Sequence, residues 1–203
     1  MNEKNIGKTL NLIKDILGDH NPAPIEKAIL ILLYLYNDKV DVYRLHKMVF
    51  IASLDFKELK EELEPRPRMY KDIFYDENIE ETLELLKLDG LVEGDSQLTL
   101  SAKGKEIAKN LLKNLSDKEK DIYNEIVDLF KDTTDDEILA IFYYKLNDYI
   151  KIIKPLNRIE KNKKKLAISL YRKGKISIGA ASEIAGVDKY RFIKLLEKEG
   201  LFP

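Results

Sequence analysis

The sequence predicts a mainly α-helical protein, and three observations support this fold class. Apolar residues recur three and four positions apart in most segments, as at Leu45 and Val49, which is the spacing of one face of a helix. Serine, threonine or aspartate stands at the start of most of these segments, where its side chain caps a helix. A single pair of short alternating segments, 91–93 and 97–100, has the pattern of a β-hairpin.

The composition excludes several classes of protein. The chain has 203 residues, of which 44% are hydrophobic and 35% charged, so it can bury a core and is not typical of a disordered tail. No apolar run reaches the ~18 residues of a membrane-spanning helix, and the N-terminus lacks the order of a signal peptide. The absence of cysteine excludes disulfides and thiolate nucleophiles. We therefore expect a cytoplasmic protein that does not bind membranes.

The charge of the chain is divided unevenly. Residues 151–203 hold 14 Lys and Arg against 5 Asp and Glu, a net charge of +9. Because the whole chain has a net charge of -1, residues 1–150 carry -10. Such asymmetry predicts two modules with different partners, and the basic module suits a polyanion, since Lys and Arg release counterions from phosphates. The alternative is a solvated lysine-rich tail.

The first half of the chain predicts helices separated by clear breaks. A short helix is expected over 9–17. The stretch after Pro24 is so continuously apolar that we expect a central helix, buried by its neighbours or by a second subunit. Asp41 caps the next helix, and the two prolines of 64–68 predict an exposed loop. A further helix covers 76–90, from an aspartate cap to a glycine stop.

The hairpin and the helices around it have the order of a winged helix. Ser101 caps a helix that runs to about Leu115. Ser116 and Thr134 then begin two helices, each with a glutamate three residues later in the form of a capping box. The basic segment 157–165 is either a linker or the start of a helix. We therefore predict a winged-helix module over 1–115, a helical extension over 116–155 and a helix-turn-helix over 156–203.

The C-terminal module has the spacing of a helix-turn-helix. Ser177 caps a short helix over 178–185, Gly186 supplies a left-handed turn, and Asp188 caps a third helix. Small residues in the first of these helices, with Phe192 in the second, allow the two to pack closely.

In the usual docking of this motif, the third helix lies in the major groove with its first residues at the base edges. We expect Lys189, Tyr190 and Lys194 to face the bases. A second set would contact phosphates and position the protein without specifying sequence: Arg191, Arg172, Lys173 and Lys175. Ser177 is also expected to bind DNA. The alternative is a helical hairpin used only for packing or for binding a protein.

The same segment resembles a known family. The residues concerned are LAISLYRKGKISIGAASEIAGV, at 166–187, continued by Phe192, Leu195, Leu196 and Gly200-Leu201. They resemble a family of short prokaryotic antitoxin-like proteins, best represented in archaea and often encoded beside PIN-domain ribonuclease toxins. The resemblance covers about a fifth of the chain, and implies a helix-turn-helix that binds DNA or a protein partner, without catalysis.

A second resemblance covers residues 24–115 and is carried by 45–50, 83–92 and 100–105. It is to winged-helix proteins of the phage-associated and antitoxin type. A winged helix reads DNA with its third helix, here 76–90, but that helix holds six acidic residues against the single base Lys87. Since a net charge of -5 is repelled by phosphates, we predict that this module is a dimerisation or partner-binding platform. Its basic residues Arg66, Arg68 and Lys71 either belong to a solvated loop or contact a phosphate.

No set of residues predicts catalysis, and we expect neither a cofactor nor a bound metal. His20 and His46 are the only histidines, and no glycine-rich phosphate loop is present. The sequence therefore predicts a homodimeric transcriptional regulator that binds double-stranded DNA through its C-terminal motif, in one version an antitoxin that represses its own promoter. The alternative is a non-catalytic adaptor or antitoxin whose acidic module binds a protein partner such as a toxin.

Overall fold

The computed structural model of the protein describes residues 22–63, 67–70, 72–154 and 156–201. The helix expected over 9–17, His20, and residues 64–66 and 71 of the expected loop region lie outside these ranges. Within them the helices are α1 (Pro24–Tyr36), α2 (Val42–Ser53), α3 (Lys57–Glu62), α4 (Glu77–Leu88), α5 (Ala102–Lys113), α6 (Asp117–Phe130), α7 (Asp135–Tyr144), α8 (Asn157–Arg172), α9 (Ile178–Ala185) and α10 (Lys189–Lys198). The mainly helical fold class is confirmed.

Six short strands form two small sheets in the described residues. They are β1 (Val40–Asp41), β2 (Arg68–Tyr70), β3 (Ile73–Tyr75), β4 (Val92–Glu93), β5 (Gln97–Leu100) and β6 (Lys151–Lys154). In the first sheet, of order β1-β5-β4, every pairing is antiparallel, with Val40 opposite Leu98 and Val92 opposite Leu100. In the second, of order β3-β2-β6, β2 pairs antiparallel with β3 and parallel with β6.

The predicted hairpin is confirmed by β4 and β5, but the second sheet was not predicted. The expected exposed loop over 64–68 is wrong at its end, because Pro67 is buried and Arg68 begins β2. The strands of this sheet come from distant parts of the chain, since β6 lies directly before α8. Strands this short, paired across so many residues of the chain, give little local sequence pattern from which the sheet could be predicted.

Helix α1 lies at the centre of the fold. It is fully buried over six consecutive residues, from Ala28 to Leu33. Helices α2, α4, α5 and α6 surround it. Of the two expected ways to bury this helix, by its neighbours or by a second subunit, the structure shows the first. Because the chain covers this helix by itself, no second subunit is needed to shield its apolar residues.

Glycine allows the hairpin to lie directly on α5. Ser101 caps α5 by accepting a hydrogen bond from the Gly104 N–H at 3.0 Å. A Cβ atom at Gly104 would lie 2.1 Å from the backbone oxygen of Leu91, which is far inside van der Waals contact. The absence of a side chain at Gly104 therefore brings the first turn of α5 against the end of the α4–β4 connection.

Both predicted capping boxes are present, at Ser116 with Glu119 and at Thr134 with Glu137. Arg44 of α2 binds the turn between α6 and α7. Its guanidinium donates to the Phe130 carbonyl at 2.7 Å and pairs with Asp135 at 2.7 Å. The start of α7 is thus held in place from the N-terminal half of the chain.

The basic segment 157–165 is the first part of α8 and not a linker. Helix α8 packs against α7 as well as α9, so it joins the C-terminal helices to the rest of the fold. Within the described ranges, no helix is long and apolar enough to span a membrane.

Candidate nucleic-acid interface

Helices α8, α9 and α10 form a three-helix unit with a tight turn at Gly186. This glycine has a φ of 68°, and its N–H donates to the Glu183 carbonyl at 3.0 Å. The left-handed conformation costs glycine little because it has no Cβ. Asp188 then caps α10 by accepting from the Arg191 N–H at 2.8 Å. The chain therefore ends one helix and begins the next within three residues, as the sequence predicts.

The unit has its own small core. Ala181, Ala185 and Phe192 are completely buried, and the small side chains of α9 allow α10 to approach closely. The Phe192 ring meets the ring of Tyr171 edge to face, with centroids 6.2 Å apart, which joins α10 to α8. This packing decides which face of α10 points outwards.

The outward face of α10 is cationic and aromatic at its N-terminal end. Lys189, Tyr190, Arg191 and Lys194 are all exposed, and Tyr190 has 69% of its surface accessible. The Lys194 ammonium lies 5.6 Å from the centre of the Tyr190 ring and pairs with Glu197 at 2.8 Å. The four side chains that were predicted to lie on this helix are therefore all accessible.

The other four predicted residues divide into two groups. Arg172 and Ser177 are exposed, and the Ser177 hydroxyl caps α9 by accepting from the Ala180 N–H at 3.2 Å. Lys173 and Lys175, which flank Gly174 in the turn between α8 and α9, have protein partners instead. Their ammonium groups pair with Glu137 at 2.8 Å and with Asp128 at 3.0 Å, respectively.

These partners belong to an acidic seam, which we define as Asp128 of α6, the Asp132 carbonyl, and Asp136 and Glu137 of α7. Arg158 of α8 adds a pair to Asp136 at 2.9 Å, and Lys173 also donates to the Asp132 carbonyl at 2.7 Å. A further pair, between Lys145 and Glu183, lies outside the seam. Part of the charge asymmetry of the sequence is thus neutralised inside the molecule.

Hydrogen bonds at the acidic seam stabilise the ionised forms of Glu137 and Arg158. Burial raises the pKa of the Glu137 carboxyl, but hydrogen bonds from Lys173, Ser169 and the Thr134 backbone outweigh burial, so that its pKa lies below the usual range. The hydrogen bond to Asp136 raises the pKa of Arg158. These shifts favour the charged forms of Glu137 and of Arg158, which lies beside the seam.

Helix α8 carries a cationic stripe that the sequence did not reveal. It consists of Lys161, Lys164, Lys165 and Arg172, all of them exposed and on one side of the helix by their spacing. The lysines do recur at helical intervals in the sequence. Because the sequence left 157–165 open between a linker and a helix, it did not predict that these lysines share one face.

The N-terminal half contains a buried polar cluster around His46. The imidazole is fully buried, with Nε2 3.1 Å from the Glu80 carboxylate and Nδ1 3.4 Å from the Asp76 N–H, and it stacks on Tyr75. Burial lowers the pKa of His46 in spite of the nearby carboxylates of Glu80 and Asp76. In the part of the chain that the structure describes, no three side chains of metal-binding type are grouped to hold an ion.

Comparison with known protein families gives a match to the C-terminal part of the chain. Residues 145–202 match the model of an uncharacterised protein family, UPF0175. The matched segment begins before the predicted boundary at 156 and takes in β6 and all of α8, α9 and α10. No curated protein and no solved structure matched the chain. The C-terminal unit of this protein is thus similar in sequence to the uncharacterised protein family UPF0175.

Proposed function

We propose that this protein binds double-stranded DNA without catalysing a reaction, with α9 and α10 acting as a helix-turn-helix. The observation that carries the proposal is the outward face of α10, where Lys189, Tyr190, Arg191 and Lys194 are accessible at the start of a helix fixed by its own core. In a helix-turn-helix, this end of the second helix meets the base edges in the major groove.

The side chains of α10 have different roles in this proposal. Lys189, Tyr190 and Lys194 face the bases, and Arg191 contacts a phosphate. Lys194 exchanges its pair with Glu197 for contacts to DNA, which is feasible because that ion pair is exposed and contributes little to stability. Glu197 would then disfavour any site where a phosphate lies close to it, so it contributes to selectivity.

Phosphate contacts outside α10 come from Ser177 and Arg172. The hydroxyl of Ser177 stands at the N-terminus of α9, where helix N–H groups attract anions. Lys173 and Lys175 are left out of the proposed interface, although they were predicted to contact phosphates. Their ammonium groups already have carboxylate and carbonyl acceptors, so DNA would have to displace the acidic seam from them.

The N-terminal module is proposed to be a winged helix that does not read DNA. Helices α2 and α4 and the β4–β5 hairpin have the order of that fold. Helix α4 takes the place of the reading helix, and its carboxylates would be repelled by phosphates. We propose that the protein is a transcriptional regulator and binds as a homodimer, because paired half-sites are the usual target of such motifs. Repression of its own promoter, as in antitoxins, is the version that the sequence resemblance favours.

The test is a titration of the full-length protein with its own upstream DNA against salt and a scrambled competitor. The variant K189A/Y190A/K194A removes the proposed base contacts, and K39A/Y43A/K118A removes the same residue types from exposed positions elsewhere. A third variant, K161A/K165A/R172A, removes three of the four cations of the α8 stripe. Sedimentation of the complex reports whether one or two copies bind.

Wild type and the K39A/Y43A/K118A control should prefer the upstream DNA, with a log–log salt slope of about -0.9 per phosphate contact. The α10 variant should lose the preference for sequence. The α8 variant should bind more weakly to both DNAs, because it removes the proposed phosphate contact of Arg172. Equal binding by wild type and the α10 variant, or no binding at low salt, would overturn the proposal.

A further inference from the structure

Helix α4 exposes two leucines side by side. Leu85 has 61% of its surface accessible and Leu88 has 82%, the largest value for any large apolar side chain among the described residues. They are three residues apart and so lie on the same side of the helix. Single exposed leucines are common on protein surfaces, but an adjacent pair on one helix is a small apolar patch.

The side of α4 that carries these leucines is not used by the fold. The inward face of the helix consists of Ile79, Leu83 and Leu86, which are buried towards α1. With 3.6 residues per turn, Leu85 and Leu88 lie on the opposite side, where no described part of the chain covers them. Burying this patch would remove apolar surface from water and so favour association.

Carboxylates flank the patch. Glu77, Glu81 and Glu84 are exposed on the same outward side of α4. The only base of the helix, Lys87, is paired with Glu84 at 2.7 Å, which leaves the other two glutamates to set the sign of the surface. We name this surface, made of Leu85, Leu88, Glu77, Glu81 and Glu84, the α4 face.

The charge of the α4 face selects its partner. A second copy of the chain, docked through the same face by two-fold symmetry, would bring like charges together, which costs free energy. A partner with basic residues around an apolar stripe would match both the leucines and the carboxylates. Apolar centres with charged rims are the usual anatomy of transient interfaces.

We propose that the α4 face is a docking site for a basic amphipathic helix of another protein. Leucine-like side chains of the partner would pack on Leu85 and Leu88, and its Lys or Arg residues would pair with Glu77 and Glu81. In this mode of binding, the partner helix is recognised through apolar and charged side chains that recur at helical spacing. The proposal does not depend on DNA binding, since α4 and α10 are separate surfaces.

The probe for the test is a synthetic peptide of about 16 residues, long enough to form a helix, with leucine on one face and lysine beside it. Two matched peptides carry serine in place of leucine, or glutamate in place of lysine. Fluorescence anisotropy measures the binding of each to the full-length protein. Amide chemical shifts locate the site on the protein.

Three variants complete the design. L85S/L88S removes the apolar patch, E77K/E81K reverses the two charges proposed to pair with the partner, and E58K/E61K makes the same charge change on exposed residues of α3. Thermal unfolding confirms that each variant is folded. DNA titration of L85S/L88S, under the conditions used for α10, keeps the two proposals distinguishable.

We expect the Lys/Leu peptide to bind at about 1–100 µM, and both α4 variants to weaken binding about tenfold or more. The E58K/E61K control should bind like wild type, the two matched peptides should bind at least about tenfold more weakly, and shifts should be confined to α4 and its neighbours. DNA binding by L85S/L88S should be unchanged. The proposal is overturned if no binding occurs at about 100 µM, if the control loses as much affinity as E77K/E81K, or if only self-association responds to L85S/L88S.

Discussion

Lys173 and Glu137 are bonded across the boundary between the three-helix unit and the rest of the molecule. The ammonium of Lys173 lies 2.8 Å from the Glu137 carboxylate, whose side chain is only 3% exposed. Glu137 also accepts the Thr134 N–H at 2.7 Å, so it caps α7 and receives the lysine at once. Lys173, which was predicted from the sequence to contact a DNA phosphate, therefore helps to hold the C-terminal unit against the rest of the molecule.

Substituting Lys173 by Met should lower the free energy of unfolding by about 1–2 kcal/mol, because it leaves the nearly buried Glu137 carboxylate without its cation. Urea unfolding at neutral pH measures the change. The control is Lys120→Met, whose pair with Asp117 is exposed and should contribute less than about 0.5 kcal/mol. Equal losses in the two variants would show that the seam adds nothing beyond an ordinary surface pair.

Arg172 should behave in the opposite way, although it is the neighbour of Lys173. It is exposed, so Arg172→Ala should leave unfolding nearly unchanged but weaken binding to specific and scrambled DNA alike. The salt slope should fall in magnitude by about 0.9, as expected for one lost phosphate contact. Lys173→Met should leave that slope as in wild type. An unchanged slope for Arg172→Ala would remove this arginine from the interface.

Alanine substitution at two glycines of the C-terminal unit should change the stability of the protein in opposite directions. Gly186 has a φ of 68°, so Gly186→Ala should destabilise the protein by about 1 kcal/mol. Gly179 is inside α9, and a Cβ there would meet only the Ser177 hydroxyl at an ordinary 3.7 Å. Gly179→Ala should stabilise the protein by about 0.5–1 kcal/mol through lower backbone entropy in the unfolded chain. Urea midpoints that move in the same direction would contradict this.

Protonation of His46 should destabilise the fold. Burial lowers the pKa of this imidazole below its ordinary 6.5, so the unfolded chain binds the proton more readily. Stability from this group is complete above pH 6.5 and is lost as the pH falls towards the folded pKa. The difference in unfolding free energy between about pH 7.5 and about pH 5.5 should therefore be smaller in His46→Gln than in wild type. Identical differences in the two proteins would contradict the role of His46.

Lys47 should cost the protein stability at neutral pH. Burial lowers its pKa from 10.5 to about 8, against the attraction of Asp135 and Asp41. Because the unfolded chain holds this proton more tightly, wild-type stability should rise between about pH 8 and pH 10.5. Lys47→Met should raise the unfolding free energy at neutral pH by about 1–3 kcal/mol.

The advantage of Lys47→Met should shrink as the pH rises from about 8 to 10.5, and it should be lost above that range, where the wild-type lysine is neutral in both states. The control Lys118→Met changes an exposed residue and should alter stability by less than about 0.5 kcal/mol at any pH. A less stable Lys47→Met protein at neutral pH would show that the ammonium is better paired than its burial implies.

Local signals in the sequence determined much of this fold. The start of α4 follows from Asp76, those of α6 and α7 from capping boxes, and the turn before α10 from Gly186, because caps and left-handed turns depend on a few adjacent residues. The face of α10 that carries Tyr190 also follows, since apolar residues at helical spacing decide which side is buried.

Tertiary structure decided what the local pattern left open. The segment 157–165 became helix because Ile159, Ala167 and Leu170 of α8 find buried neighbours, and β6 pairs with a strand more than eighty residues away. The partners of Lys173 and Lys175 were likewise invisible in the sequence, because they lie 36 and 47 positions away. Charge composition assigns lysines to a module, but only distance in the folded chain decides whether each one meets a carboxylate or solvent.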